Sequence, residues 1–223
     1  MKILASADIH GCHAVYRALP GLVRTHGVDL VVLAGDLLGY TEGTTDIAEA
    51  QRADARAIAD ILRSLQVSVL YVMGNDDWVD LDPPAGPFMP IHGRRIDLGD
   101  FNFVGYRYSL PFMGGVNEKA EEEIAEDMAS LERLMDRRTI LVTHSPAAGI
   151  LDLGILDRHA GSPSILAAVE RRSVRAHIHG HVHHCFGRQG VHFNVSAAGE
   201  LRAVLLDLDT MRHEEIGAGF PDS

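Results

Sequence analysis

Residues 177–184, HIHGHVHH, place five histidines in eight positions. Neutral imidazole is a borderline ligand for transition metals, so this density points to a metal site. The same density also arises in His-rich tracts without catalytic purpose, or along a strand with a polar face. What separates these readings is whether other donor residues stand where a fold would bring them to this segment. Four further stretches carry such donors: Asp8-Ile9-His10-Gly11, Gly35-Asp36, Gly74-Asn75-Asp76-Asp77 and His144-Ser145-Pro146. A lone Gly-Asp or a lone histidine carries no signal, since most are turns or satisfied core groups. Their placement along the chain is what gives them weight.

Each stretch directly follows a short apolar run. KILASA leads to Asp8, DLVVLA to Gly35-Asp36, VSVLYVM to Gly74-Asn75, TILVT to His144, and the less apolar VRAHI to His179-Gly180-His181. Their length and β-branched content predict buried strands. Between them lie helical patterns over His13–His26, Asp46–Leu65 and Asn117–Arg138, and a helix opening at Ser162-Pro163 with the residues of an N-cap and first turn. RRIDLGDFNFVGYRY alternates around Leu98-Gly99-Asp100 and predicts a hairpin, and GVHFNVSAA and LRAVLLDLDT predict further strands. Strands alternating with helices imply a largely parallel sheet, and the extra hairpins a second, mixed one. Ligands of such sheets bind beyond the carboxyl ends of the strands, where all five polar endings fall.

The chain has 223 residues, 46% hydrophobic and 23% charged, enough for a sizeable core in an ordinary globular composition. No repeat divides it, and Asp82–Pro90 reads as one Pro-rich surface loop, so residues 1–223 are expected to form a single domain. The formal net charge of −11 argues against a duplex nucleic-acid groove binder or an electrostatically held membrane protein. An anionic substrate stays compatible, because bound cations reverse the local sign. Two distant cysteines, Cys12 and Cys185, suggest no disulfide framework. With no signal-peptide pattern and no membrane span, a cytoplasmic protein is expected.

DIHG, GD, GND, THSP and GHVH, in this order, resemble the calcineurin-like metallophosphoesterase family, with a match running from Asp8 to His183. The resemblance implies an α/β fold of two mixed β-sheets packed face to face and flanked by helices, with two divalent metal ions at the strand ends. It implies that Asp8, His10 and His183 hold one ion, that Asn75, His144 and His181 hold the other, and that Asp36 bridges both. Two cations roughly 3.5–4 Å apart need an anionic bridge, and a hydroxide between them would be the nucleophile. Nitrogen and oxygen donors without thiolate suit Mn, Fe, Zn or similar ions and do not select among them. The implied substrate is a small phosphodiester, with phosphomonoesters as a further class, and the implied catalytic residues are Asp36, Asn75 and Asp76.

The sequence also departs from the family. General phosphatases of this family carry a histidine directly after the Asn to protonate the leaving group; here Asp76 takes that place, and Asp77 stands beside it to orient a histidine put there. Near two cations the Asp76 carboxyl is expected to be lowered in pKa and ionised. The protein-phosphatase branch has an Arg soon after its GD, whereas GDLLGY has none. Two readings from other classes compete. One is an interaction scaffold with this fold, against which the complete donor set argues. The other is a metallo-β-lactamase-type hydrolase, whose HxHxDH segment lacks its Asp here.

Within the histidine cluster, an extended chain would turn His181 and His183 to one side, as ligands. His177 and His179 are then expected inside the sheet and His184 in solvent. Elsewhere, Cys12 is expected as a small buried residue, His159 as a loop histidine or an anion contact before a helix, and Glu121-Glu122-Glu123 as a solvated helix face. Trp78 is expected either to pack or to line the substrate cleft.

Overall fold

The computed structural model describes residues 1–81, 88–112, 114–154 and 157–217. Its first sheet contains β1 (Lys2–Ser6), β2 (Leu30–Ala34), β3 (Ser68–Val72) and β4 (Phe88–Pro90), all parallel. The second is built on a hairpin of β5 (Arg95–Leu98) and β6 (Phe101–Tyr106), followed by parallel β7 (Thr139–Thr143) and β8 (Ala176–His179). Beyond β8 this sheet gains β9 (Gly187–Gln189) and β10 (His192–Asn194), whereas β11 (Arg202–Asp207) and β12 (His213–Gly217) return to the first, β11 antiparallel to β1. Both sheets have six strands and both are mixed, in the orders β12-β11-β1-β2-β3-β4 and β5-β6-β7-β8-β10-β9.

The five apolar runs therefore do not share one parallel sheet, as their alternation with helices had suggested. β1, β2 and β3 lie in the first sheet, and β7 and β8 in the second. Each sheet is covered on both faces, which explains runs without polar alternation. Along β1, Ile3 and Ala5 enter the layer between the sheets, where they join Val32, Leu70, Phe103, Ile140 and Phe193. Leu4 turns the other way, onto Tyr16, Leu19, Ile58 and Leu62 of the flanking helices. A third apolar layer joins Val104 and Leu141 of the second sheet to Ile124, Met128, Ile165 and Val169.

Local chemistry sets several of the helix ends. α1 (His13–His26) ends on Gly27, whose φ of 60° suits the left-handed cap. α2 (Ile47–Leu62) starts under Asp46, whose side chain accepts from the Glu49 amide at 2.9 Å. α3 spans only Glu121–Leu131 and tightens to a 3-10 turn over Glu132–Leu134, short of the expected Asn117–Arg138. The reason is competition: Lys119 and Asn117 pair by backbone with Ser109, and the Asn117 side chain donates to the Gly74 carbonyl. α4 (Pro163–Arg172) opens as expected, with Ser162 Oγ accepting from the Ile165 amide.

Residues 82–87 of the expected surface loop lie outside the described residues, while Phe88–Pro90 pairs with β3 as a strand. Glu121 departs from the solvated reading, because its carboxylate accepts from the Ser164 amide and ties α3 to α4; Glu122 and Glu123 are exposed. Among the described residues, no helix is long and apolar enough to cross a membrane.

Candidate metal centre

The carboxyl ends of β1, β2, β3, β7 and β8 meet at one edge of the two sheets, and each delivers its donor through a tight turn. Asp8, His10, Asp36 and His181 all adopt left-handed backbone, with φ between 46° and 70°. Outside glycine this region is uncommon, and its concentration here stores strain where the side chains must be aimed. His181 and His183 accordingly do not alternate along an extended strand, as expected from their spacing. β8 stops at His179, His181 is left-handed, and His183 begins a 3-10 turn. The turn still brings both rings to the centre.

On one side, His10 Nε2 and His183 Nε2 stand 3.3 Å apart, and His183 Nε2 lies 3.5 Å from Asp8 Oδ1. Asp8 is fully buried, and both its oxygens accept from the His181 amide, which locks its orientation. On the other side, His144 Nε2 faces Asn75 Oδ1 at 2.8 Å, His181 Nδ1 at 3.2 Å and Asp36 Oδ2 at 3.4 Å. The other ring nitrogen of His144 lies 3.0 Å from the Ala34 carbonyl, an acceptor only, so Nδ1 carries a proton and Nε2 is the nitrogen turned inward, whose lone pair a metal could take. Asp8, His10 and His183 form one group able to hold a metal, and Asp8, Asp36 and His144 another.

The donor set fits divalent cations. A lone pair on His144 facing an amide oxygen is repulsive unless positive charge lies between them. Burial would lower the His144 pKa, yet Asp36 and Asp8 raise it to about 10, so without metal a proton sits on Nε2, in the place a cation would take. Burial, and after it the His144 charge, holds His181 at about 4, in the neutral form that a ligand requires. The crowding leaves no room for a β-carbon on the intervening glycines. One at Gly74 would sit 2.2 Å from Asp36 Oδ1, and one at Gly180 2.3 Å from Asp8 Oδ2.

Outside the donors opens a cavity of about 520 Å³, lined also by Tyr40, Asp76, Trp78, Phe112 and His184. Asp76 accepts from the Tyr40 hydroxyl at 3.2 Å, and its own amide donates to Asp36 Oδ1. Without bound cations, burial and the Asp36 charge raise its carboxyl above the ordinary value, so the lowering expected from the sequence would have to come from the metal ions themselves. Trp78 is exposed in this cavity, which decides for lining over packing.

Asp77 is not free to orient a neighbour. It is buried, and its carboxylate accepts from the amides of Leu37, Leu38 and Gly74 at 2.7–2.9 Å, tying the loop after β2 to the loop after β3. Gln51 of α2 completes this clamp, donating to the Asp76 carbonyl and accepting from the Trp78 amide, both at 2.7 Å. Neither role was read from the sequence, although a glutamine on the apolar face of α2 is a usable signal. His177 and His179 are buried as expected, with His177 between Thr143 Oγ1 and His192 Nδ1. His184 is exposed. Cys12 is only half-buried, at the N-cap of α1. His159 pairs with the buried Asp152 at 2.7 Å.

The model of the calcineurin-like phosphoesterase family matches residues 1–185. The chain belongs to that family. No curated protein matches this calcineurin-like phosphoesterase significantly. Among solved structures, it is similar to TT1561 of Thermus thermophilus, with 17% identity, 97% of this chain and 98% of that one covered, and a TM-score of 0.68. It is also similar to a dimetal phosphatase from Danio rerio, with 14% identity, 88% and 86% covered, and a TM-score of 0.52. GAP50, the anchor in the inner membrane complex of Plasmodium, follows at 13% identity, 89% and 72% covered, and a TM-score of 0.52. At these identities the likeness shows the fold. The family is metal-dependent, and this phosphoesterase retains side chains able to bind metal.

Proposed function

We propose that this phosphoesterase is a single-domain, dinuclear-metal hydrolase of small phosphodiesters, with phosphomonoesters as secondary substrates. Asp8, His10 and His183 would hold one divalent cation of the Mn, Fe or Zn kind, Asn75, His144 and His181 the other, and Asp36 both. The observation that carries this reading is the convergence on His144 Nε2 of Asn75 Oδ1, His181 Nδ1 and Asp36 Oδ2 within 3.4 Å, with Nδ1 already committed to Ala34. Such ions supply positive charge for a phosphate and acidify bound water.

The chain's own residues do the rest. Asp36 is held by the Asp76 amide so that one oxygen stays directed at His144. Asp8 is fixed by the His181 amide, which couples the turn after β1 to the turn after β8. Asn75 contributes a neutral oxygen, so the centre keeps net positive charge toward an anionic ester. Asp76 faces the cavity where a general-acid histidine stands in other family members, and it accepts a hydrogen bond from Tyr40. The chain's charge of −11 and its two free cysteines support a cytoplasmic enzyme that binds neither duplex nucleic acid nor a membrane.

A scaffold role, of the kind that the name of GAP50 as an anchor suggests for that protein, would leave this donor set without a task. The test is metal analysis of the purified protein together with turnover of bis(4-nitrophenyl) phosphate in added Mn²⁺. Two ions per chain and turnover that chelation removes are expected. Full folding with neither metal nor turnover would overturn the reading and leave the scaffold.

A further inference from the structure

We infer that the substrate is a phosphodiester with a single negative charge, whose ester arm other than the leaving group is a planar aromatic group seated against Tyr40, Trp78 and Phe112. This rests on the phosphodiesterase reading and deepens it. The cavity of about 520 Å³ is continuous with the donor cluster, since His10, Asp36, Asn75, His181 and His183 form its inner wall. That volume exceeds what a bare phosphate needs and suits a ligand with an organic arm.

The outer wall is aromatic. Tyr40, Trp78 and Phe112 are three of the five large hydrophobic side chains exposed among the described residues, at 42%, 42% and 49% exposure. Exposed aromatics scattered over a surface need no explanation, but three at the mouth of one cavity do. Each is tied to the centre through its side chain or its backbone. The Tyr40 hydroxyl is bound to Asp76, and the Trp78 backbone is clamped by Gln51. Phe112 meets the His181 ring edge-on, with centroids 5.5 Å apart. Four residues on, Val116 donates to the Asn75 carbonyl. Tyr40 and Trp78 thus stand on the Asp76 side of the cavity and Phe112 on the His181 side.

Charge limits the other features of the substrate. Among the described residues, neither lysine nor arginine lines the cavity, whereas Asp36 and Asp76 do. A second phosphate would lie away from the metal centre, beside Asp76, with no cation to offset it. A diester monoanion with an apolar, flat arm meets both conditions.

Two esters with the same leaving group test this: phenyl 4-nitrophenyl phosphate and methyl 4-nitrophenyl phosphate, assayed with the Mn²⁺-loaded enzyme. The phenyl ester should show the higher kcat/KM through a lower KM. Trp78→Ala and Phe112→Ala should each reduce the phenyl-to-methyl ratio by about twofold to tenfold, the range of one aromatic contact. Diphenyl phosphate should also quench the fluorescence of Trp78, the chain's one tryptophan, saturably, and dimethyl phosphate should not. Equal kcat/KM for both esters, or ratios unchanged in both variants with no selective quenching, overturns the inference and leaves the phosphodiesterase reading standing. Turnover of neither ester overturns both.

Discussion

The backbone amide of Asp76 donates a 2.8 Å hydrogen bond to Oδ1 of Asp36, joining the turn after β3 to the turn after β2. The bond holds the Asp36 carboxylate with its second oxygen 3.4 Å from His144 Nε2. A carboxylate shared by two cations has to be fixed in this way, because rotation would break both contacts. Asp36→Ala should abolish turnover and lower metal content. The loss should exceed the roughly 10–100-fold that follows removal of an outer-shell partner. Retention of most activity with full metal occupancy would remove Asp36 from the centre.

The histidines of HIHGHVHH should separate by role. His181→Ala and His183→Ala should each lose metal and activity. His184→Ala should keep its metal, with any effect confined to KM, because His184 lines the cavity without joining the donors. His177→Ala should also keep metal while losing stability, since Thr143 Oγ1 and His192 Nδ1 each lose a buried partner. Thr143 Oγ1 keeps its bond to the Ser145 carbonyl, so the larger cost falls on His192, roughly 1–3 kcal/mol for an unsatisfied buried group. Metal analysis and denaturant titration of the four variants give the comparison, and demetallation by His184→Ala but not by His183→Ala would reverse the assignment.

Asp76 Oδ1 accepts from Tyr40, and beside two bound cations its carboxyl is expected to be ionised and unable to give a departing oxygen a proton. General-acid help is typically worth about 10²–10⁴ in rate, most with poor leaving groups. Rates over a graded series of aryl esters should therefore depend steeply on leaving-group pKa, with alkyl esters much slower. Asp76→His should flatten that slope. The imidazole would have to be oriented by Tyr40 or His10, because Asp77 is fully engaged by backbone amides. Equal slopes in the two proteins would place the proton source elsewhere.

Far from the centre, Asp136 gives a pH dependence of stability. Burial alone would raise its pKa, but the Arg138 amide, the Asn102 side chain and Arg95 hold it down to about 2. A carboxyl lowered on folding stabilises above its unfolded pKa, near 4, and loses that contribution as pH falls through its folded value. Asp136→Asn should thus be less stable than the parent at pH 7, and the gap should close between pH 4 and 2. Urea midpoints across that range provide the measurement, and a gap independent of pH would sink the account.

The strands and donors were legible because burial on both faces writes continuous apolar runs, and a functional strand end interrupts them abruptly. The partition of those runs was not. β3 and β7 carry the same kind of residues, and only the β5–β6 hairpin between them starts a second sheet. The extended reading of His181 and His183 failed because left-handed backbone at a histidine has no composition signal. Asp77 and Gln51 act through main-chain amides that any residue would supply, so no motif marks their partners. Phe112 reaches the centre across a long sequence separation, and spacing cannot reveal that contact.

The donors are divided between the layers. Asp8, His10, Asp36 and Asn75 follow strands of the first sheet, whereas His144, His181 and His183 follow strands of the second. Each proposed ion would thus draw ligands from both sheets, acting as a rivet across a joint held by apolar packing and by hydrogen bonds such as those from the His181 amide to Asp8 and from the Ala7 amide to Val195. Binding that favours only the assembled state adds stability as RT ln(1 + [L]/Kd), about 2.7 kcal/mol at a hundredfold excess over Kd. Metal should then raise the thermal midpoint and slow the unfolding of the whole chain, and a chelator should loosen the seam between the sheets before it disturbs either sheet alone. Hydrogen exchange at β2 and β7, with and without metal, would show that opening as a shared loss of protection on both sides of the seam.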